Sequence, residues 1–271
     1  RQNSPSKLVS PLISDYICCD MNNVNQVESL IGNIQKIKYS HIFYLASLQG
    51  VEQERKLFEK IESYTVNFHT PKLIFEKMNN SSKFIYFGSR LIYGTHSCST
   101  ITEETKLSPD CIYGETKAEF SRYVGSLPHE QQKYISCLNF FNHESPLRDN
   151  KFLFKKILNI FRTAETTHIM EFANTLDFEN DWGSAQDFMY YIFKNRSLLG
   201  GNLNVATGVT QNTREEIYKA LDSTQNLQIS HNIAIKNAPK MQICNITALK
   251  IEIPNFTSKI LNELLVQDFS H

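Results

Sequence analysis

KFIYFGS, residues 83–89, is a run of apolar and aromatic residues closing on Gly88-Ser89. A run this continuous suits a strand buried on both faces, as in a helix-covered parallel sheet, better than a strand with one wet face. HIFYLAS at 41–47 and ISCLNFFN at 135–142 have the same character. The segments between them have helical spacing. VNQVESLIGNIQKI, residues 24–37, sets Val24, Val27, Leu30, Ile31 and Ile34 along one face. A long helix is predicted over about 53–79, kinked at Pro71, and another from Gly114 to about Val124. DYICCDM, residues 15–21, reads as one more short strand. Strands alternating with helices predict an α/β fold built on a parallel sheet.

Past residue 143 the pattern mixes. NKFLFKKILNIF (150–161) and SAQDFMYYIFKN (184–195) read as helices and LNVATG (203–208) as a strand. TREEIYKAL (213–221) reads as a helix opened by a capping box of Thr213 and Glu216. No internal repeat or low-complexity linker divides the chain. The expected organisation is a sheet half over 1–142 and a smaller lobe over 143–271, interleaved with the sheet.

Composition removes several function classes. Of 271 residues, 41% are hydrophobic and 21% charged, which is ordinary globular usage. The 28 basic residues balance 28 acidic ones, so no basic field for nucleic acid is expected. No run of about 18 apolar residues suggests a membrane span, and the start does not read as a signal peptide. Cysteines 18, 19, 98, 111, 137 and 244 form neither a metal-ligand spacing nor a disulfide frame, and read as reduced thiols of a cytoplasmic protein. The triplets Asn80-Ser81-Ser82 and Asn255-Phe256-Thr257 read as accidents of an Asn-rich chain.

The chemistry is sought in CIYGETKAEF, residues 111–120. Tyr113 and Lys117 stand four apart and share a helix face. An ammonium held near a phenol favours the phenolate and yields an acid/base group nearer working pH. Tyr190 and Lys194 have the same spacing, so spacing alone does not single out a pair. What separates Tyr113 is Ser89, 24 residues upstream at a strand end, followed by Tyr93-Gly94. Ligands of open α/β sheets sit at the carboxyl ends of the strands.

With these residues the chain resembles the extended short-chain dehydrogenase/reductases that modify sugar nucleotides, and among them the GDP-mannose 4,6-dehydratases. FFNHESPLRDNKFLFKKI (140–157), NDWGSAQDFM (180–189), NVATGVTQNTREEI (204–217), DMNNVNQVESLI (20–31) and IFYLAS (42–47) carry the resemblance, over about 15–265. It implies a Rossmann-type sheet with a small C-terminal substrate lobe, an NAD or NADP cofactor, and a nucleotide-sugar substrate, GDP-linked. By resemblance Tyr113 moves the proton of a sugar hydroxyl, Lys117 lowers its pKa and holds the nicotinamide ribose, and Ser89 binds the reacting oxygen. Asp20 belongs beside the adenine, Leu45 and Ala46 along the cofactor, Asn142 on the substrate side near the nucleotide phosphates, and Lys156 on the substrate side. A homodimer or homotetramer is expected by analogy.

The chain also departs from the resemblance. The Gly-rich phosphate loop and the first βα unit of the sheet are expected ahead of Arg1. Residues 1–14 do not supply them, so weak NAD(P) binding by this chain is expected. The Glu that abstracts the C5 proton in the dehydratases is replaced by Leu91, beside Arg90. Asn180 stands where an Arg precedes Asp-Trp-Gly, and Tyr44 where a strand ends in Asn. Three readings follow: a dehydratase losing water across C5–C6 after oxidation at C4, a related epimerase or reductase that needs no base at 91, or a non-catalytic homologue serving as a partner subunit.

Overall fold

Three of the apolar runs form adjacent strands of a four-stranded parallel sheet: β1 (His41–Tyr44) at one edge, then β2 (Lys83–Phe87) and β3 (Ile135–Phe140), with β4 (Gly201–Val205) beside β3. The computed structural model describes residues 14–48, 57–78, 81–94, 100–225 and 243–269. Cys98, Asn80, residues 1–13 and the beginning of the predicted 53–79 helix lie outside that set. Every residue of β3 is buried, as its unbroken apolar pattern requires.

Helix α1 (Val24–Ile37) has the predicted bounds, because Asn23 caps it by accepting from Gln26 N and Lys38 ends it in a left-handed turn with φ 55°. The long second helix is broken. α2 (Leu57–Tyr64) passes through a π-helical turn at Thr65–His69 into α3 (Thr70–Lys77). Pro71 has no N–H to give to the Asn67 carbonyl four residues back. Tyr86 Oη on β2 donates to that carbonyl at 2.6 Å, and Tyr44 Oη on β1 donates to the Val66 carbonyl at 2.6 Å. Tyr44 therefore closes the open turn from the strand end.

Two expectations are corrected. Residues 15–21 are not a strand: no strand pairs with them among the described residues, and Tyr16 and Ile17 are exposed. A strand needs a partner for its backbone groups as well as a suitable composition. The helix α8 (Thr213–Gln225) is not opened by its Thr213–Glu216 box. Trp182 Nε1 donates to Thr213 Oγ1 at 3.1 Å, Asn212 Oδ1 accepts from Glu215 N at 3.2 Å, and Glu216 pairs with Lys219. The cap is Asn212, one residue earlier.

One face of the sheet packs α1, α3 and α4 (Ile112–Ser126) through Val27, Ile74, Phe84, Phe120 and Val124. Burying each such side chain contributes roughly 1.5–3 kcal/mol. The opposite face holds α7 (Ala185–Lys194) through Phe188 and Ile192. A separate apolar cluster joins α5 (Leu153–Thr163), α6 (Thr166–Asn174), α8 and α9 (Leu261–Phe269) through Phe154, Ile169, Leu221 and Leu265. Buried Asp181 ties this part to the sheet. Its carboxylate accepts from Thr207 N, Thr207 Oγ1 and Gly208 N, each at 2.9 Å.

Candidate active site

The carboxyl ends of β1, β2 and β3 open into a cleft of about 610 Å³. Ser89, Tyr113, Lys117, Asn142 and Leu45 all line it, so most of the residues singled out in the sequence meet in one place. Two glycines permit the meeting. A Cβ on Gly88 would lie 2.3 Å from Asn139 Oδ1, and one on Gly114 would lie 2.4 Å from the Leu91 carbonyl oxygen. Without a side chain at 114, α4 presses directly on the one-turn helix Arg90–Ile92, which brings Tyr113 to Ser89. Gly114→Ala forces that backbone contact apart. The expected result is a loss of about 1–3 kcal/mol in thermal unfolding, as for other overpacked sites.

The Ser89 hydroxyl lies near the Tyr113 phenol, and so does that of Ser47, a hydroxyl beyond the end of β1 that the sequence reading passed over; all three line the cleft. Ser47 Oγ donates to Asn67 Oδ1 at 3.1 Å, and Asn67 Nδ2 donates to the Leu48 carbonyl and to Thr116 Oγ1, each at 3.0 Å. The π turn thus holds the rim of the cleft through its Asn side chain.

The electrostatics reverse one expectation. Burial raises Tyr113 above the usual phenol value, while the Ser47 and Ser89 hydroxyls pull it back; Lys117 is not a cause. Lys117 is 1% exposed, and burial lowers its ammonium to about 7. Its Nζ donates to the Phe87 carbonyl at 2.7 Å and lies 4.3 Å from the Tyr86 ring centroid but 5.7 Å from that of Tyr113. The pair shares a face, but without a bound partner the lysine is too desolvated to act as a strong cation.

A lysine whose folded value is depressed costs stability at low pH. The unfolded chain binds the extra proton between pH 7 and 10.5, so stability rises as pH rises through that window. Lys117→Met removes this slope. Chemical denaturation at pH 7 and pH 9 is expected to show wild type gaining about 2–3 kcal/mol relative to the variant.

The segment after β3 supplies groups that the sequence reading left without roles. Burial lowers His143, whose Nδ1 donates to the Phe141 carbonyl at 2.8 Å. Glu144 is buried and its carboxyl pushed up to about 7, with Arg148 opposing the rise from 3.1 Å. Arg90 Nε donates to Asn142 Oδ1 at 3.2 Å. His143 and Glu144 lie in the Asn-His-Glu-Ser-Pro stretch, where the signal was visible in the sequence.

Asp20, Ala46 and Lys156 are not among the lining residues. The Asp20 carboxylate accepts from Asn22 N at 3.1 Å, and Lys156 is exposed on α5. Asn180 is also outside the cleft, buried in a two-residue ribbon with Gln211. Tyr190 is 57% exposed on α7 with Lys194 Nζ 5.6 Å from its ring centroid, an ordinary surface pair. Among the described residues no helix is long and apolar enough to cross a membrane.

A sequence profile of the family described as GDP-mannose 4,6 dehydratase matches residues 13–253. No curated protein matches the chain by sequence. Among solved structures, dTDP-glucose 4,6-dehydratase from Bacillus anthracis in complex with NAD is 15% identical, with a TM-score of 0.71 over 97% of this chain and 81% of that one. RMD from Pseudomonas aeruginosa complexed with NADPH is 16% identical, with a TM-score of 0.67 over 94% and 86%. ADP-L-glycero-D-manno-heptose-6-epimerase from Helicobacter pylori is 16% identical, with a TM-score of 0.66 over 94% and 77%. At these identities the likeness is one of fold.

Proposed function

Starting from a chain that belongs to the GDP-mannose 4,6-dehydratase family, we infer that its cleft takes a nucleotide sugar, GDP-linked in keeping with the family, and that Tyr113 and Ser89 work on the sugar C4 hydroxyl. The observation carrying this reading is that Ser89, Ser47 and Tyr113 line one cleft together with Lys117 and Asn142, the two serine hydroxyls near enough to the phenol to pull its pKa down. In this reading Ser89 orients the substrate oxygen, and the Tyr113 phenolic oxygen takes its proton during oxidation and returns it during reduction.

The residues present suit the nicotinamide end of NAD(P). Lys117 Nζ bonds one carbonyl and borders the cleft, so it has capacity for ribose hydroxyls. Leu45 and Ser47 form the neighbouring rim. Bound there, the nicotinamide would take and return a hydride. The described residues include no Gly-rich strand-to-helix turn for the pyrophosphate.

Leu91 favours a second reading, C4 epimerisation or ketone reduction, over dehydration. Its side chain borders the cleft where the resemblance places the C5 base, and a hydrocarbon abstracts no proton. Calorimetric titration with GDP-mannose and UDP-glucose tests the common core of both readings. Saturable binding of at least one is expected, at a Kd below about 1 mM. Failure of both to bind would overturn the assignment.

A further inference from the structure

Among the described residues of the cleft, Arg90 is a cation for which the fold supplies no carboxylate. Its guanidinium is mostly buried, and burial pulls it below its ordinary value with no carboxylate opposing the shift. Among the described residues no ion pair includes it. Its hydrogen bond is to a neutral amide, Asn142 Oδ1, through Nε, which leaves the planar Nη edge for another partner. Arg148 in the same cleft differs, because Glu144 lies 3.1 Å from it. Buried charges are paired or coordinated, since an unpaired one loses its hydration without return. A guanidinium at a cavity wall with only an amide for company is arranged to meet an anion brought by the ligand, and its two-pronged edge matches a carboxylate.

We propose that Arg90 is a carboxylate-reading subsite and that the nucleotide sugar taken by this cleft carries an acid on its C6 carbon, as a nucleoside-diphosphate hexuronate does. This rests on the nucleotide-sugar reading above and narrows it. Its place in the chain favours the sugar acid over the diphosphate, and the titration below separates the two. Arg90 directly follows Ser89, whose hydroxyl, with the Tyr113 phenol, marks the reacting C4 oxygen. On a pyranose the C6 carbon is attached beside C4, whereas the diphosphate hangs from C1 at the other end of the ring. The neighbouring residue fits the same substrate. A hexuronate has no C6 hydroxyl to expel, so 4,6-dehydration is closed to it and a base at position 91 has no task. Leu91 and Arg90 suit the same substrate.

The test is calorimetric titration of the 271-residue chain with UDP, UDP-glucose and UDP-glucuronate, and in parallel with GDP, GDP-mannose and GDP-mannuronate. Wild type is expected to bind a hexuronate roughly tenfold or more tighter than the matching hexose. Arg90→Met should bring that ratio close to one while nucleoside diphosphate and hexose affinities stay within about twofold. Arg90→Lys should keep part of the preference. Equal wild-type affinity for hexose and hexuronate overturns the proposal and leaves the nucleotide-sugar reading standing. A uniform loss in Arg90→Met that includes the bare diphosphate also overturns it, by assigning the guanidinium to the phosphates. If circular dichroism shows Arg90→Met unfolded, the wild-type ratio and Arg90→Lys decide. Absence of binding by every ligand overturns both readings together.

Discussion

Replacing Tyr113 with Phe is expected to lower the exchange of sugar alcohol and ketone by about 10²–10⁴, the usual worth of a positioned acid/base group. Only the hydroxyl goes, and the ring keeps its place on α4, so nucleotide-sugar affinity should stay within about twofold. Because the described residues carry no phosphate loop, the rate is best measured in a chimaera with a strand–Gly-rich turn–helix segment supplied ahead of residue 1. Reduced cofactor formed from a saturating sugar nucleotide is the readout. Tyr190→Phe is the matched control, since Tyr190 lies 57% exposed on α7. Equal loss in both variants would place the chemistry away from Tyr113.

Leu91→Glu is expected to raise 4-keto-6-deoxy product from GDP-mannose by about 10²–10⁴ over wild type, because loss of the C5 proton needs a base. The new carboxyl would stand beside the Arg90 guanidinium, which favours its ionised form and offsets part of the cost of burial. Among the described residues Glu144 is the one acid already lining the cleft, and burial raises it to about 7, where a carboxyl can serve as a base at neutral pH, so it is the residue to control for. Product analysis in the same chimaera decides the matter. Rapid dehydration by the unmodified chain would defeat the prediction, and loss of that rate in Glu144→Gln would identify the acid responsible.

The sequence was most readable where one physical cause acted alone. β2 and β3 follow from unbroken apolar runs, and α1 from its spacing together with the Asn23 cap. Reading failed where the outcome depended on a partner distant in sequence. Residues 15–21 have a strand's composition but no partner strand among the described residues, and Trp182 takes the Thr213 hydroxyl from its capping box. The meeting of Ser89, Tyr113 and Lys117 was legible because Ser89 is fixed by the end of β2 while Tyr113 and Lys117 share one face of α4. The charge state of the pair was not, because residue spacing reports proximity and says nothing of the burial that lowers Lys117 to about 7. Arg90 entered the sequence reading only as the neighbour of Leu91. Its mostly buried position, without an ion pair among the described residues, is a property of the turn after β2.

The bond between Tyr86 and the π turn has a historical consequence. Pro71 leaves the Asn67 carbonyl without its helical donor, and the Tyr86 hydroxyl supplies another. With Pro at 71, a Phe at 86 strands a buried carbonyl at a cost of about 1–3 kcal/mol. With a residue bearing an N–H at 71, the helix can serve that carbonyl itself and the tyrosine becomes dispensable. The two positions are therefore epistatic. A lineage can acquire the hydroxyl first and the proline afterwards, but the reverse order passes through a destabilised ancestor. The turn that holds Asn67 against the cleft rim thus has a preferred direction of evolution: easy to enter by way of the tyrosine, and hard to leave while the proline stays.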